Sequence, residues 1–342
     1  MISSPSSNIG SGLALALTMG EPAGIGGEVT LKAWMAGNAP VFFVIDDAMR
    51  LRQLAQKLRL DVPISTINTP SEALDVFESA LPVLHQPLKE PVVFGKPSLK
   101  NANAVMESIK LAVELVRSSQ ASAIVTNPIH KKTLYDAGFK FPGHTEFLSN
   151  LAGGENSPVM MLASPKLKVV PVTIHVSMEK ALSSINENDI INTSQITAQA
   201  LKKYFSLAKP RLAIAGLNPH AGEGGKMGTE EITHISPAIT KLCKTGIEAS
   251  GPWSPDTMFH ENARNLYDVA ICMYHDQALI PIKTIDFDGA VNITLGLPFV
   301  RTSPDHGTAF NIAGTGVASE KNMLAALEMA AKMAETCKIN VL

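Results

Sequence analysis

Three histidines of this chain lie shortly after apolar runs that are typical of buried strands. His175 follows VVPV, His220 follows LAIA within GLNPHAGEGG, and His275 follows AICM within YHDQ. Ligands collect past the carboxyl ends of parallel strands, so neutral imidazoles there could converge on one divalent ion and leave positions open for a substrate. The spacing is not that of a short zinc motif. Each ring alone is more often a core or surface imidazole with a satisfied hydrogen bond, so both interpretations remain open.

Two aspartates are candidates for orienting such ligands or for accepting a proton. Asp276 directly follows His275, and Asp256 lies in SPDT. Asp256 also follows a proline in a turn-like stretch, so a role in a turn is the alternative.

A second set of side chains could bind a phosphate or a carboxylate. The segment MGEPAGIG is a glycine-rich turn from a strand into a helix, where backbone amides can hold an anion. TNPIHKK and GHTE place further cationic and polar groups after later runs. The candidate substrate contacts are His144, Thr145, Lys283, Asn292 and Arg301. Lys283 and Arg301 are embedded in apolar sequence, where an unpaired charge is costly, and ordinary surface charge is the alternative.

No Rossmann GxGxxG fingerprint follows any predicted strand. The segment DHGTAFNIAGTG, residues 305–316, instead offers glycines and small residues that allow a backbone to approach a flat ligand closely. By itself this pattern indicates only a loop that lies against something.

Short apolar runs that alternate with amphipathic stretches predict an α/β fold with a mostly parallel sheet. The predicted strands are 13–19, 41–45, 123–126, 168–173, 212–215 and 269–273, and the predicted helices are 102–118, 192–207 and 319–338.

The bulk composition narrows the functional classes. The chain has 342 residues, enough for two domains, and its net charge of −2 does not suggest nucleic-acid or acidic-membrane binding. Three widely spaced cysteines fit a reducing cytoplasm. No apolar run approaches the ~18 residues of a membrane span. Residues 1–12, rich in Ser and Gly, are expected to be a loose extension and not a signal peptide.

Taken together, MGEPAGIG, TNPIHK with GHTEF, GLNPHAGEGG, YHDQ and VNITLGLPFVRTSPDHGTA resemble the 4-hydroxythreonine-4-phosphate dehydrogenase family of vitamin B6 synthesis. The resemblance runs from about Leu13 to the C-terminal helix. His306–Gly316 also resembles the adenosine-binding stretch of isopropylmalate and isocitrate dehydrogenases. This implies their architecture of two α/β/α domains with a cleft between them that holds the active site. We expect a first domain of 13–135 plus 300–342, and a second domain of 136–299 with the metal ligands and dimer contacts.

The resemblance also implies roles for individual residues. The metal ligands would be His175, His220 and His275, and the substrate contacts would be the five residues named above. Asp256, Asp276 and Lys283 are the implied catalytic groups. The implied cofactor contacts are His306, Gly307, Thr308, Ala309, Asn311 and Gly314. Asn311 stands where the related dehydrogenases have Asp.

The implied reaction is oxidation of 4-phosphooxy-L-threonine to a β-keto acid that decarboxylates to 3-amino-2-oxopropyl phosphate. The implied cofactors are NAD, with NADP as the alternative, and a divalent ion. Imidazole ligands favour zinc over cobalt or magnesium. The implied assembly is a homodimer in which both subunits complete each site.

Other functions remain open at this point. A paralogous dehydrogenase of threonate or erythronate 4-phosphate would carry nearly the same motifs. An isopropylmalate-type dehydrogenase would use acidic ligands for Mg²⁺. A zinc hydrolase could use three histidines to activate water, and a non-catalytic phosphometabolite-binding protein would need no metal.

Overall fold

The computed structural model describes residues 12–154 and 157–339, which form alternating strands and helices. The strands are β1 (Leu15–Thr18), β2 (Phe42–Asp46), β3 (Ile64–Ile67), β4 (Leu81–His85), β5 (Ile124–Thr126), β6 (Val159–Ala163), β7 (Lys168–Pro171), β8 (Arg211–Ala215), β9 (Glu248–Trp253), β10 (Val269–Cys272), β11 (Val291–Leu295) and β12 (Arg301–Pro304). The α-helices are α1 (Gly26–Met35), α2 (Ala48–Leu58), α3 (Ala73–Val76), α4 (Ala102–Arg117), α5 (Lys131–Asp136), α6 (His144–Leu151), α7 (Met178–Ser184), α8 (Glu187–Phe205), α9 (Ser236–Lys244), α10 (Glu261–Arg264), α11 (His275–Ile285) and α12 (Lys321–Ile339). The predicted α/β class is confirmed.

The chain divides into two compact units at 156/157 and at 296/297. Unit 1 contains the N-terminal segment and the C-terminal segment, and unit 2 is the continuous stretch between them. The first unit is therefore discontinuous in sequence.

The sheet of unit 1 has the order β3-β4-β2-β1-β5-β12, and its paired strands are parallel. Every residue of β1 and β2 is buried, because a parallel sheet between helices hides both faces and favours continuous apolar runs. Helix α4 presents Val105, Ile109 and Val113 to this core, three to four residues apart on one face. The three strands and the helix that the sequence predicted here are confirmed.

The sheet of unit 2 has the order β11-β6-β7-β10-β8-β9. Strand β6 runs antiparallel to both of its neighbours, whereas β7, β10, β8 and β9 are parallel. Residues Leu212–Ile214 of β8 pair with Val269–Ile271 of β10, which in turn pairs with β7. The carboxyl ends of β7, β10 and β8 therefore lie side by side at one edge of the sheet.

The first boundary differs from the expected 135/136, because α5 and α6 pack into the core of unit 1. Phe139 and Phe147 are buried there with ring centroids 5.1 Å apart, and both belong to the same apolar cluster as α4. No linker composition marks the change, so the sequence placed the boundary before these helices. The second boundary lies at 296/297 and not at 299/300, since Leu297 and Phe299 join the unit 1 core.

Three further observations concern the sequence predictions. The expected N-terminal extension lies outside the described residues, except for Gly12. Cys243, Cys272 and Cys337 are free thiols, and cytoplasmic location stays a prediction. Among the described helices, none combines the length and the hydropathy that a bilayer crossing demands.

Candidate functional site

The three predicted histidine ligands occupy one edge of the unit 2 sheet. His175 follows β7, His220 follows β8, and His275 is the first residue of α11 after β10. Because these strands are parallel neighbours, the loops that carry the histidines emerge next to one another. The expectation that all three leave the same sheet edge is met by the topology.

His175 and His275 lie side by side. Their ring centroids are 5.8 Å apart with an angle of 45° between the rings. Both line a cavity of about 350 Å³, together with Thr173, Tyr274 and Asp276. This open pocket gives both imidazoles access to a small ligand.

His220 lies on a loop with an unusual backbone. The φ angle is positive from His220 to Gly225, including 51° at His220 and at Ala221 and 44° at Glu223. A left-handed conformation costs an L-residue roughly 1–2 kcal/mol, and such strain clusters at functional sites. Buried Glu231 holds the loop, since its Oε1 accepts hydrogen bonds of 2.7 Å from the backbone N–H groups of both Leu217 and Asn218.

Each aspartate predicted at this site contacts or faces one of the histidines. The carboxylate of Asp276 lies 2.7 Å from Nδ1 of His275, which leaves the Nε2 atom of that ring for a ligand. A hydrogen bond from the hydroxyl of Ser254 lowers the pKa of Asp256, and the electrostatic interaction with the nearby His220 side chain lowers it further. Asp256 is thus an ionised group beside the His220 loop.

The three imidazoles do not form a closed cluster within one chain. In residues 12–154 and 157–339, no group of three or more His, Cys, Asp or Glu side chains is arranged to hold a metal ion. The donor types suit a divalent transition ion, and the His175–His275 pair has suitable proximity. His220 does not join that pair in the single chain, so the three-histidine site stays a prediction.

Unit 1 contains a buried cation at the predicted phosphate site. Arg301 begins β12 and is only 4% exposed, and its Nη2 donates a hydrogen bond of 2.6 Å to Oγ1 of Thr126. Burial lowers the pKa of the Arg301 guanidinium to about 10, so the side chain stays charged at neutral pH. A desolvated guanidinium attracts an anion more strongly than a surface one does.

His144 accompanies this cation at the N-terminus of α6. Its Nε2 atom is buried and has no hydrogen-bond partner among the described residues. Burial, together with the charges of Arg301 and Lys131, holds the pKa of His144 well below its ordinary value. The ring is therefore neutral at pH 7 and can donate or accept one hydrogen bond to a ligand. Thr145 is the next residue of the same helix and is half-buried.

Lys283 and Asn292 lie apart from the histidine pair. Lys283 is two turns further along α11 than His275, roughly 12 Å along the helix axis. Its amine lies 5.8 Å from the centre of the Phe287 ring, and it does not line the His175–His275 cavity. Asn292 is half-buried in β11, opposite Leu162 of β6. Their predicted roles remain untested by this geometry.

The predicted cofactor segment lies against the glycine-rich turn before α1. The N–H of Ile25 donates a hydrogen bond of 3.0 Å to the carbonyl of Thr308. A Cβ atom on Gly24 would stand 2.9 Å from the same carbonyl, so only glycine permits this approach. The two glycine-rich motifs of the sequence thus pack together.

The remaining residues of the segment form an irregular, partly exposed loop. Ala309 adopts a left-handed φ of 43°, and Gly314 packs against the ring of Phe94. Gly307 and Asn311 are exposed, and His306 is half-buried. Small residues therefore occupy the positions where this loop turns or meets another segment.

Several residues that the sequence analysis did not single out hold these groups in place. Thr126 anchors Arg301, Glu231 fixes the His220 loop, and Gln277 links two of the loops described above. Glu28 is buried and accepts hydrogen bonds from the N–H groups of Gly316 and Ala318. The signal for Gln277 was available, because it follows His275 by two residues in YHDQ.

Comparisons with known proteins agree with one another. The family described as pyridoxal phosphate biosynthetic protein PdxA matches residues 38–330. A 4-hydroxythreonine-4-phosphate dehydrogenase of Bradyrhizobium diazoefficiens is 52% identical over 94% of this chain and 96% of its own length. A protein of the same name from Caulobacter vibrioides is 51% identical over 94% of this chain and 97% of its own. A crystal structure of that enzyme from Klebsiella pneumoniae has a TM-score of 0.86 and 36% identity, and the alignment covers 94% of this chain and 99% of that one.

Proposed function

Because the chain belongs to the PdxA family and is an oxidoreductase, we propose that it oxidises 4-phosphooxy-L-threonine with NAD, NADP being the alternative. Bound NAD would supply the acceptor for the C3 hydrogen as hydride, and the hydroxyl proton would go to a basic group of the protein. The products are 2-amino-3-oxo-4-phosphooxybutanoate, NADH and one proton. Loss of the carboxyl group as carbon dioxide, with protonation of the α-carbon, then gives 3-amino-2-oxopropyl phosphate. This reaction would serve vitamin B6 synthesis in the cytoplasm.

The observation that carries this proposal is the paired imidazoles of His175 and His275 at adjacent ends of parallel strands. With His220 they are the proposed ligands of a divalent ion, zinc by preference and cobalt or magnesium otherwise. Such an ion would supply positive charge beside the substrate hydroxyl and lower its pKa. Asp276 orients His275 through Nδ1, which fixes the direction in which that ring presents Nε2.

The phosphate end of the substrate would be bound by the buried cation of unit 1. Arg301 supplies a fork of N–H donors, and neutral His144 supplies one more hydrogen bond without adding charge. Thr145, Lys283 and Asn292 are the further proposed contacts. A dianionic phosphate offsets the free-energy cost of desolvating Arg301 better than a neutral hydroxyl would. This favours a phosphorylated substrate.

The proton acceptor is proposed to be one of Asp256, Asp276 and Lys283. The low pKa of Asp256 keeps it ionised but makes it a weak base, and Asp276 is engaged with His275. These observations favour orienting roles for the carboxylates, and Lys283, or a water held by it, is the remaining candidate although it does not line the His175–His275 cavity.

The nicotinamide cofactor is proposed to contact the loop of His306, Gly307, Thr308, Ala309, Asn311 and Gly314. The support is the close packing of this loop on the glycine-rich turn at Gly24, which places exposed backbone groups beside a helix N-terminus.

The active form is proposed to be a homodimer whose copies complete each other's sites. Exposed apolar side chains flank two of the histidine loops: Val176, Met178 and Leu182 follow His175, and Ile280 and Phe287 lie on and after α11. Exposed apolar groups in such number mark a surface for association.

The decisive experiment is NADH formation from 4-phosphooxy-L-threonine, with and without a chelator. We expect formation that requires the metal and returns when zinc or cobalt is restored. Preferred turnover of threonate 4-phosphate would identify the paralogous activity instead, and release of inorganic phosphate without NADH would indicate a hydrolase.

A further inference from the structure

Buried and partly buried hydrogen bonds connect the loops that carry the three histidines. Gln277 is 7% exposed and bonds to two of these loops at once. Its Oε1 accepts a hydrogen bond of 2.6 Å from the N–H of Met273, two residues before His275. Its Nε2 donates a hydrogen bond of 2.8 Å to the carbonyl of Gly216, four residues before His220.

The two hydrogen bonds of Gln277 differ in what they can do. The bond from Met273 is local, because Gln277 lies in the first turn of α11 and there satisfies a backbone N–H just before the helix. The bond to Gly216 spans 61 residues of sequence and joins the β10 loop to the β8 loop. The first bond is thus confined to the start of α11, whereas the second joins two separate loops.

Gly216 is itself a junction in the same set of contacts. Its N–H donates a hydrogen bond of 2.7 Å to the carbonyl of Trp253, on the segment that leads to Asp256. A Cβ atom at this position would meet Ala221 at 3.0 Å and the Oε1 atom of Glu231 at 3.3 Å. The start of the His220 loop is therefore held from three directions.

The third loop joins through Thr173. The N–H of Thr173 lies 3.2 Å from the carbonyl of Met273, and its hydroxyl donates to the same carbonyl at 2.9 Å. The carbonyl of Met273 thus accepts hydrogen bonds from Thr173, and its N–H donates one to Gln277. The chain of bonds from Thr173 through Met273 and Gln277 to Gly216 connects all three histidine loops.

We infer that Gln277 is a positioning residue, which sets the separation of the His220 and His275 loops through its bonds to Gly216 and Met273. The inference rests on the proposed function, in which these imidazoles bind a divalent ion. The bonds act within one chain, so they hold each loop in place whichever copy of a dimer its histidine serves. Outer partners of this kind typically change metal affinity by about 10–100-fold when they are removed.

The test compares Co²⁺ binding to metal-free full-length protein in three variants. Gln277→Met keeps the size of the side chain and removes both bonds. Gln277→Glu keeps an acceptor for the Met273 N–H but turns a second acceptor toward the Gly216 carbonyl. The matched control is Thr197→Val, which removes a buried side-chain bond to the Thr193 carbonyl within α8 of the same unit.

We expect Gln277→Met and Gln277→Glu to lose Co²⁺ affinity by about 10–100-fold in calorimetry. Their visible Co²⁺ spectra at saturation should also differ from that of the wild type, whereas Thr197→Val should match it. Wild-type affinity and spectrum in Gln277→Glu would show that only the local bond from Met273 matters and would overturn the inference. An equal loss in Thr197→Val would overturn it as well, since the loss would then be a general consequence of destabilisation.

Two further measurements separate this inference from the proposed function. If the wild type itself binds no Co²⁺, the metal site fails and the inference fails with it. If either Gln277 variant does not fold, Thr173→Val removes one hydrogen bond of the same chain and should lower Co²⁺ affinity by a smaller factor. Unchanged affinity in Thr173→Val would then count against the inference.

Discussion

The basic site of unit 1 and the histidine loops of unit 2 are held in place in opposite ways. Arg301 belongs to a strand, is buried, and has its direction set by the ladder of β12 with β5 and by Thr126. His175 and His220 are exposed and lie on loops beyond their strands. A strand positions its side chains without further help, whereas a loop needs additional restraints.

The two arrangements carry different energetic costs. In unit 1 the cost is the desolvation of a cation, which shows in the lowered pKa of Arg301. In unit 2 it is the left-handed backbone around His220, together with the burial of Glu231 and Gln277 to satisfy that loop. The difference predicts that unit 1 is sensitive to removal of a charge, whereas unit 2 is sensitive both to loss of a ligand and to loss of a restraint.

The largest effect is expected at the His220 loop. His220→Ala should reduce metal-dependent NADH formation on the order of 10³-fold, the loss typical of removing a main electrostatic group from an active site. The fold should be retained, because the side chain is exposed. His220→Asn should lose as much activity as His220→Ala but should unfold at a higher temperature than that variant, since Asn tolerates a positive φ better than Ala does. Undiminished NADH formation in either variant would remove His220 from the site.

A smaller effect is expected at the buried cation. Arg301→Met should raise KM for the phosphorylated substrate about 10–100-fold, the equivalent of 1.5–3 kcal/mol for hydrogen bonds to a charged group. In the wild type, KM should also rise as the pH passes about 10, where Arg301 loses its proton. The control Arg211→Met removes an exposed ion pair with Asp268 and should change KM little. An unaffected KM in Arg301→Met would contradict the phosphate assignment.

The packing of the cofactor loop gives a third, more modest prediction. Gly24→Ala places a Cβ atom 2.9 Å from the Thr308 carbonyl, so it should cost about 1–3 kcal/mol of stability and weaken NAD binding. At Gly307 no heavy atom lies within 4 Å of an added Cβ, so Gly307→Ala should weaken NAD binding through direct contact and leave stability unchanged. Calorimetry measures the NAD affinity of each variant, and thermal unfolding measures its stability, so together they distinguish the two effects. Equal NAD affinity in the wild type and both variants would show that the cofactor does not contact this loop.

The smallest effect concerns the pH dependence of stability. The pKa of His144 is depressed in the folded state, so below the ordinary value near 6.5 the unfolded chain binds more protons than the folded one. The stability that this ring contributes is therefore present near pH 7 and is lost as the pH falls, by at most about 1.4 kcal/mol per pH unit. His144→Gln should unfold with a weaker dependence on pH between 7 and 5. An identical dependence in both proteins would show that the ring is not buried in its neutral form.

Sequence reasoning succeeded where the signal was local. The apolar runs before His175, His220 and His275 are strands, and the periodic stretch of Ala102–Arg117 is a helix, because burial on both faces of a sheet and on one face of a helix leaves a direct pattern. Strands β3, β4, β6, β9, β11 and β12 were not predicted. Only one of the four residues of β3 is buried and none of β9 is, so their apolar pattern is weak.

The sequence carries no local signal for a contact whose two residues lie far apart in the chain. Nothing near Arg301 indicates Thr126, which is 175 residues away, and nothing near Gly216 indicates Gln277. The division of the chain at 156/157 has no local signal either, since Phe139 and Phe147 join the unit 1 core through contacts that no linker composition indicates.

The residues alone therefore determined which groups are available: three imidazoles after apolar runs, an arginine embedded in apolar sequence, and two glycine-rich segments without a Rossmann fingerprint. Residue type and local periodicity are enough for that, because they reflect burial and backbone preference within a few residues. Only the tertiary structure decided that His175 and His275 adjoin while His220 stands on a separate strained loop, and that Arg301 is desolvated beside a neutral His144. Proximity and desolvation depend on strand order and packing, and these arise from contacts between residues that are far apart in the chain.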